Sequence, residues 1–442
     1  MGKQVSRRRF LALTAGGAAA LGGAALLEPL LGFWSRVGKR LGLIPPPPAP
    51  SVPGRSAIYR VDGMPRPTWR PADDPAADWQ ATHAGVEALL DLMGEQGLPF
   101  YRSAAQGTDR RSGPDGLVGP DDVVLIKVNA QWKRRGMTST DVVRGLIRAV
   151  LAHPDGFRGE VVIVENGQWK RHLLAEEGEN NDDFEPDHPQ SFADVAALFA
   201  AQGFAVSIYP WSDHRNQVRE WDEGDEEAGY VMAGPYPLNY PKFTTAYGTR
   251  ISLRRGIWDG ERYDNDRLTF INLPVLKHHD WFGTTAAVKN FLGVMSKYAG
   301  VEQIGGKPEF HDALIKPFNG LPPGLPGSLM ALRFPDLNIV DATYVGVWGN
   351  RTDQATYERS PRQGTLLAGR DPVALDYYAA REVLGPLKRE AGLPRYQQEN
   401  GDPDKDGLFR RYLIASQERL LEAGYTVRFG PDAFDLFSTR LS

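Results

Sequence analysis

The residues best suited to chemistry crowd into residues 273–293, LPVLKHHDWFGTTAAVKNFLG. Lys277, His278 and His279 end an apolar run, and Lys289 and Asn290 sit inside a second one, TAAVKNFLGVM. A neutral imidazole binds a metal or moves a proton near pH 7, and a desolvated amine acts as a nucleophile or holds an anion. Neighbours on an extended strand point to opposite faces, so one of the two histidines enters a given pocket unless the chain turns there. Which one is left open. Gly283-Thr284-Thr285 reads as the start of a helix running to Lys297, whose free N–H groups and hydroxyls would suit a carboxylate or phosphate. Plainer roles exist for each: a hydrogen-bonded strand-end histidine, a cap at Thr284 and Thr285, a lysine that snorkels to solvent. Gly293 inside a helix costs about 1 kcal/mol relative to Ala, which predicts a close approach there.

In open parallel sheets, ligands sit beyond the carboxyl ends of the strands. Other apolar runs end the same way: the first in Lys127 and Asn129, the second in Glu165 and Asn166, a later one in Asp341, with Arg370 and Asp371 before the last large helix. Together they predict one site on one rim. This reading casts His279, Lys289 and Lys127 as catalytic groups. Lys277, Asn129, Thr284, Thr285 and Asn290 become substrate contacts. His278, His279, Glu165, Asp341 and Asp371 become ligands of a divalent metal. Three lysines would make the substrate a small anion.

The elements that must position these residues follow from periodicity. Residues 121–129, 160–167, 205–211, 268–276, 337–340 and 365–368 read as short, β-branched strands. Ser139-Thr140-Asp141 caps a helix to His153, Ser191 to Gln202 is a second helix, and Asp371-Pro372 opens a third. The alternation predicts an α/β fold, a mostly parallel sheet with helices on both faces in Rossmann-like layers. Residues 212–266 read as a loop-rich insertion within an α/β domain over 55–385, with the acidic run Glu220 to Glu227 as a solvated face. Residues 386–442 form an extension, a helix from Arg410 and a short strand TVRF, that packs back on the body.

The chain has 442 residues, 41% hydrophobic and 24% charged, enough for a sizeable core and against global disorder. Fifty-one basic and 55 acidic residues leave a net charge of -4, so no nucleic-acid partner is expected. Cysteine is absent. That excludes disulfides, thiolate nucleophiles and any cysteine-ligated iron–sulfur cluster. P-loop, H-E-x-x-H and G-x-S-x-G motifs are also missing.

At the N-terminus, Lys3 and Arg7 to Arg9 precede an uncharged Ala/Gly-rich run, Leu11 to Leu27. Ser6-Arg7-Arg8-Arg9-Phe10-Leu11 resembles the twin-arginine export signal. Residues 1–33 are thus expected to be a signal or an uncleaved membrane anchor, and 34–54 a Pro-rich linker. The resemblance implies the twin-arginine export machinery as a partner and a periplasmic or other extracytoplasmic location.

Four stretches resemble the family catalogued as "domain of unknown function 362": VLIKVN with its following helix, VVIVENG, INLPVLKHHDWFGTTAAVKNFLG, and IVDAT with LLAGRDPVALDYYAA. They span roughly residues 121–385. The family pattern transfers to Lys277, His279, Lys289, Asn290, Gly293, Asp341, Asp371, Pro372 and Asp376. The additional His278 leaves the matching histidine open. Some relatives carry ferredoxin-like segments, which this cysteine-free chain lacks. The His279-to-Lys289 layout is also similar to a motif of nickel-pincer lactate racemases, which implies a metal-binding histidine and a lysine that holds a nicotinate-derived cofactor. Two functions fit: an exported enzyme acting on a small anionic substrate, or a non-catalytic ligand-binding or accessory protein of the cell envelope.

Overall fold

The computed structural model describes residues 52–69, 79–104, 109–168, 170–174, 180–183, 190–234, 238–299, 311–317 and 322–442. Residues 1–33, expected to be a signal or anchor, and nearly all of the expected Pro-rich linker lie outside them. Among the described residues, no helix is long and apolar enough to cross a membrane.

The elements that frame the site are β1 (Ser56–Asp62), α1 (Ala84–Glu95), β2 (Val123–Val128), α2 (Thr140–Leu151), β3 (Glu160–Glu165), α3 (Phe192–Ala200) and β4 (Val206–Pro210). They continue with β5 (Leu268–Leu273), β6 (Val275–His279), β7 (Gly283–Thr285), α4 (Ala287–Asn290), α5 (Leu325–Leu332), β8 (Leu337–Gly346), β9 (Arg362–Gly369), α6 (Pro372–Tyr378), α7 (Leu408–Glu422) and β10 (Phe434–Arg440). One sheet runs β10-β1-β9-β8-β5-β2-β3-β4, with the β6–β7 hairpin branching from β8.

The run from β8 through β5, β2 and β3 to β4 is parallel, as the alternating helices predict. β9 is antiparallel to both β8 and β1. This α/β sheet is mostly parallel, with a mixed edge.

Alternation along β2 and β3 divides the core. Val124, Ile126, Val161 and Ile163 face α1, α2 and α3. Val123, Leu125, Val162 and Val164 face the other way. Each such side chain contributes about 1.5–3 kcal/mol when fully buried. The cover on that second face was not foreseen. Residues 217–264 build a six-stranded sheet whose Tyr230, Tyr240, Phe243 and Ile251 pack there with Leu325 and Leu329 of α5 and Tyr412 and Leu413 of α7. Its strands are too short for periodicity to register. The acidic run is not wholly solvated either: Glu220 is buried and accepts hydrogen bonds from Tyr240 (2.7 Å), Ser252 (2.8 Å) and Tyr263 (3.0 Å).

The C-terminal helix falls where expected, as α7. The strand falls later than TVRF, at β10, and pairs in parallel with β1.

Candidate functional site

Three polar residues cross the middle of the sheet in one row. Lys127 of β2 is in register with Asn272 of β5, and Asn272 with Asn338 of β8. All three are essentially fully buried. Buried polar groups are costly unless hydrogen-bonded, and α4 supplies the partners. Asn290 Oδ1 accepts from Lys127 Nζ at 2.9 Å and from Asn129 Nδ2 at 3.0 Å. Its Nδ2 donates to Asn272 Oδ1 at 2.8 Å, and Asn272 Nδ2 donates to Asn338 Oδ1 at 2.9 Å. Lys127 also donates to Glu165 Oε2 at 2.5 Å and to the Val128 carbonyl at 3.0 Å. Burial pushes the Lys127 pKa down and that of Glu165 up, and their mutual attraction opposes both shifts.

α4 is short, and its first turn is held from outside. The Asp376 carboxylate of α6 accepts from the Ala287 and Val288 amides at 2.7 and 2.9 Å. Burial raises the Asp376 pKa to about 7, while these two bonds pull it down. The Lys-Asn segment and the Asp-Pro-Val-Ala-Leu-Asp segment therefore meet through a cap.

The chain before α4 departs from the expected helix. Gly283–Thr285 is strand β7, antiparallel to β6, with Lys277 opposite Thr285, His278 opposite Thr284 and His279 opposite Gly283. Gly283 has φ 72°, and a Cβ there would strike the Gly401 backbone. A positive φ ends any helix that would start at Gly283. The backbone N–H groups of this segment thus do not form a helix terminus facing an anion.

The hairpin also settles which histidine enters. Lys277, His279, Thr285 and Lys289 all line a cavity of about 380 Å³, together with Lys127, Asn129, Glu165 and Asn290. His278 points to the opposite side, where its Nδ1 faces the Gly283 carbonyl at 3.0 Å. Thr284 points there as well, donating to the Gly401 carbonyl at 3.2 Å. At the mouth stand Trp132, Asp280, Trp281, Lys297, His311 and Arg351.

The cavity is rich in cations. Lys277 donates to Asn129 Oδ1 at 3.0 Å and to the Gly136 carbonyl. Burial, then the nearby Lys289, lowers its pKa to about 7. Lys289 is 7% exposed, and its amine makes no hydrogen bond or ion pair to any described residue. Burial brings its pKa to about 7 as well. Thr285 Oγ1 is buried without a hydrogen-bond partner.

His279 Nδ1 accepts from the Trp281 and Phe282 amides, each at 3.2 Å. That fixes the neutral ring with its proton on Nε2. Burial, then Lys289, His311, His278 and Lys277, holds its pKa well below the usual imidazole value. The ring therefore offers a donor to the cavity.

The five residues expected to share a metal are not brought together. His278 lies behind the hairpin, and His279 has no free lone pair while Nδ1 accepts. Asp341 is spent on the Ser139 and Thr343 amides at 2.7 and 2.9 Å. Asp371 caps α6 through Val373 and Ala374 and binds Ser56 and the Arg428 amide. Of these three carboxylates only Glu165 lines the cavity, bound to Lys127 and to the Gly167 amide at 2.7 Å. Among the described residues, no group of three or more His, Asp or Glu could hold a metal ion.

Asn272 was missed, although an amide inside the apolar LTFINL run was a visible signal. Gln168 was missed too; it donates to the Leu292 and Met295 carbonyls at 2.8 and 3.0 Å and lines the cavity. Trp132, His311 and Arg351 sit on segments with no motif.

The chain matches no curated protein. Residues 266–381, a span that holds the β6–β7 hairpin, α4 and both Asp371 and Asp376, match the family model described as "Domain of unknown function (DUF362)".

Proposed function

We propose that the protein is an exported enzyme that acts on a small anionic substrate held in the 380 Å³ cavity. The observation that carries this reading is the charge balance of its wall. Lys127 is neutralised by Glu165, whereas neither Lys277 nor Lys289 forms a salt bridge with a described residue. A negative ligand would supply the missing counter-charge in a site where water screens little. Thr285 Oγ1 and His279 Nε2–H add uncommitted donors suited to a carboxylate.

The substrate is small because the space is. Export is supported by the basic front and the Ser6–Leu11 motif. It would place the folded body outside the cytoplasm, released or tethered by an uncleaved N-terminus. The net charge of -4 supports a partner other than nucleic acid. A divalent metal is not part of the proposal, because its expected ligands stand apart.

Isothermal calorimetry with phosphate, oxalate and lactate tests the reading. Binding of at least one anion, weakened tenfold or more in both Lys277→Met and Lys289→Met, is the expected result. An absence of binding to all three, with the wild-type chain folded, would sink it.

A further inference from the structure

We infer that Lys289 is the nucleophile of an imine-forming site whose substrates are small 2-oxo acids; this deepens the anionic-substrate reading and rests on it. The three cavity lysines are not equivalent. Lys127 has three acceptors for its amine: Glu165 Oε2, Asn290 Oδ1 and the Val128 carbonyl. Lys277 has two, Asn129 Oδ1 and the Gly136 carbonyl. Both sites are built to hold an ammonium. Lys289 has none among the described residues, though it is 7% exposed and lines the same cavity.

A site meant only to neutralise an anion would keep this lysine charged by surrounding it with oxygens. Here its neighbours in the cavity wall are Lys277 and the neutral ring of His279 rather than oxygens, and burial lowers its pKa to about 7. A desolvated amine beside a second cation carries a free lone pair, the condition for attack on a carbonyl. The donors left over fit the rest of a 2-oxo acid. Lys277, the Thr285 hydroxyl and His279 Nε2–H can receive the carboxylate while carbon 2 meets Lys289.

The step balances without oxidant or reductant. The neutral amine forms a C–N bond to carbon 2, and the carbonyl oxygen gains a proton as nitrogen loses one. Protonation of that hydroxyl from solvent breaks the C–O bond and releases water. The product is the protonated imine between Nζ and carbon 2, which withdraws electrons from the neighbouring carbon.

The test incubates the full chain with pyruvate and sodium cyanoborohydride and maps the product by peptide mass spectrometry. Lys289 should gain the mass of the probe less one oxygen, in at least tenfold excess over any other lysine. Oxalate, which has carboxylates but no reactive carbonyl, should suppress the label. Lys289→Arg keeps the charge on a slightly longer side chain but cannot form the imine. It should bind oxalate and take no label, and its circular dichroism serves as the folding check. Calorimetric binding of pyruvate without label at Lys289 overturns the imine and leaves the anion site standing. Absence of both label and binding overturns both. Equal labelling across surface lysines also overturns the imine.

Discussion

Gly293 lies against the Glu165 carboxylate with no room for a methyl group between them. A Cβ at 293 would stand 2.5 Å from the Lys127 amine and nearer still to Glu165 Oε1. The glycine is therefore the complement of the buried Lys127–Glu165 pair, whose side chains are 0% and 3% exposed. Glu165 cannot retreat, since that same Oε1 is held by the Gly167 amide and its Oε2 by Lys127. Gly293→Ala should destabilise the fold by about 3 kcal/mol, the cost of overpacking plus a disturbed buried pair. A urea midpoint lowered at unchanged slope would report it. An unchanged midpoint would mean that the pair yields freely.

The pair itself should behave asymmetrically. Lys127→Met alone leaves an uncompensated buried carboxylate and should cost about 3–5 kcal/mol, as should Glu165→Leu alone. The double variant removes both charges and should cost less than the two single losses added together. A double-mutant cycle in equilibrium denaturation measures this; strict additivity would show that the two groups do not interact.

Stability should pass through a shallow minimum near neutral pH. Asp371 and Asp376 have folded pKa values of about 6 and about 7, above the ordinary 3.8. Between those limits the folded chain binds protons that the unfolded chain has released, so stability falls as pH rises. Lys277, Lys289 and Lys388 sit at about 7, below the ordinary 10.5. Their burial penalty is present in full below neutral pH. It is relieved as pH rises further, because the unfolded chain keeps protons that the folded chain sheds. Each group changes the slope by at most about 1.4 kcal/mol per pH unit. Melting temperatures measured from about pH 5 to about pH 9 should dip and recover; a maximum at neutral pH would contradict the assignment.

The parallel core and the clustering of Lys127, Glu165, Lys277 and His279 were legible because each stands at the end of an apolar strand, and Lys289 because it interrupts an apolar run. A strand's length and its terminal polar residue are local properties. The sidedness of the histidines was half legible: alternation says that they diverge, but only the β6–β7 register says that His279 faces the cavity. The carboxylates misled for a related reason. Asp341 and Asp371 end apolar runs as a ligand would, yet backbone amides both nearby in sequence (Thr343, Val373, Ala374) and distant (Ser139, Arg428) consume their oxygens. The second sheet was illegible because its strands are two to six residues long and broken by Gly, Pro and charged turns.

Asp376 couples two distant motifs, and its loss should be felt at α4 rather than in its own helix. Asp376→Ala frees the Ala287 and Val288 amides and should cost about 2 kcal/mol, the upper end for a lost cap. Hydrogen exchange at those two amides should accelerate well beyond the global change. Asp376→Asn keeps one acceptor and should fall between. If exchange at Ala287 and Val288 simply tracked global unfolding, the cap would have no local role.

His279 does two separable things. Its Nδ1 fastens the turn through Trp281 and Phe282, and its Nε2–H faces the cavity. Asparagine places an oxygen near the Nδ1 position and nothing at Nε2. His279→Asn should therefore hold stability within about 1 kcal/mol of the parent, whereas His279→Ala, which abandons the buried Phe282 amide and the part-buried Trp281 amide, should lose about 1–3 kcal/mol. Both should bind oxalate about tenfold more weakly, since each lacks one hydrogen bond to a charged acceptor. Denaturation and calorimetry on the same two variants separate the roles. Parental oxalate affinity in His279→Asn would mean that the imidazole only shapes the turn, and the anion would then rest on Lys277, Lys289 and Thr285 alone.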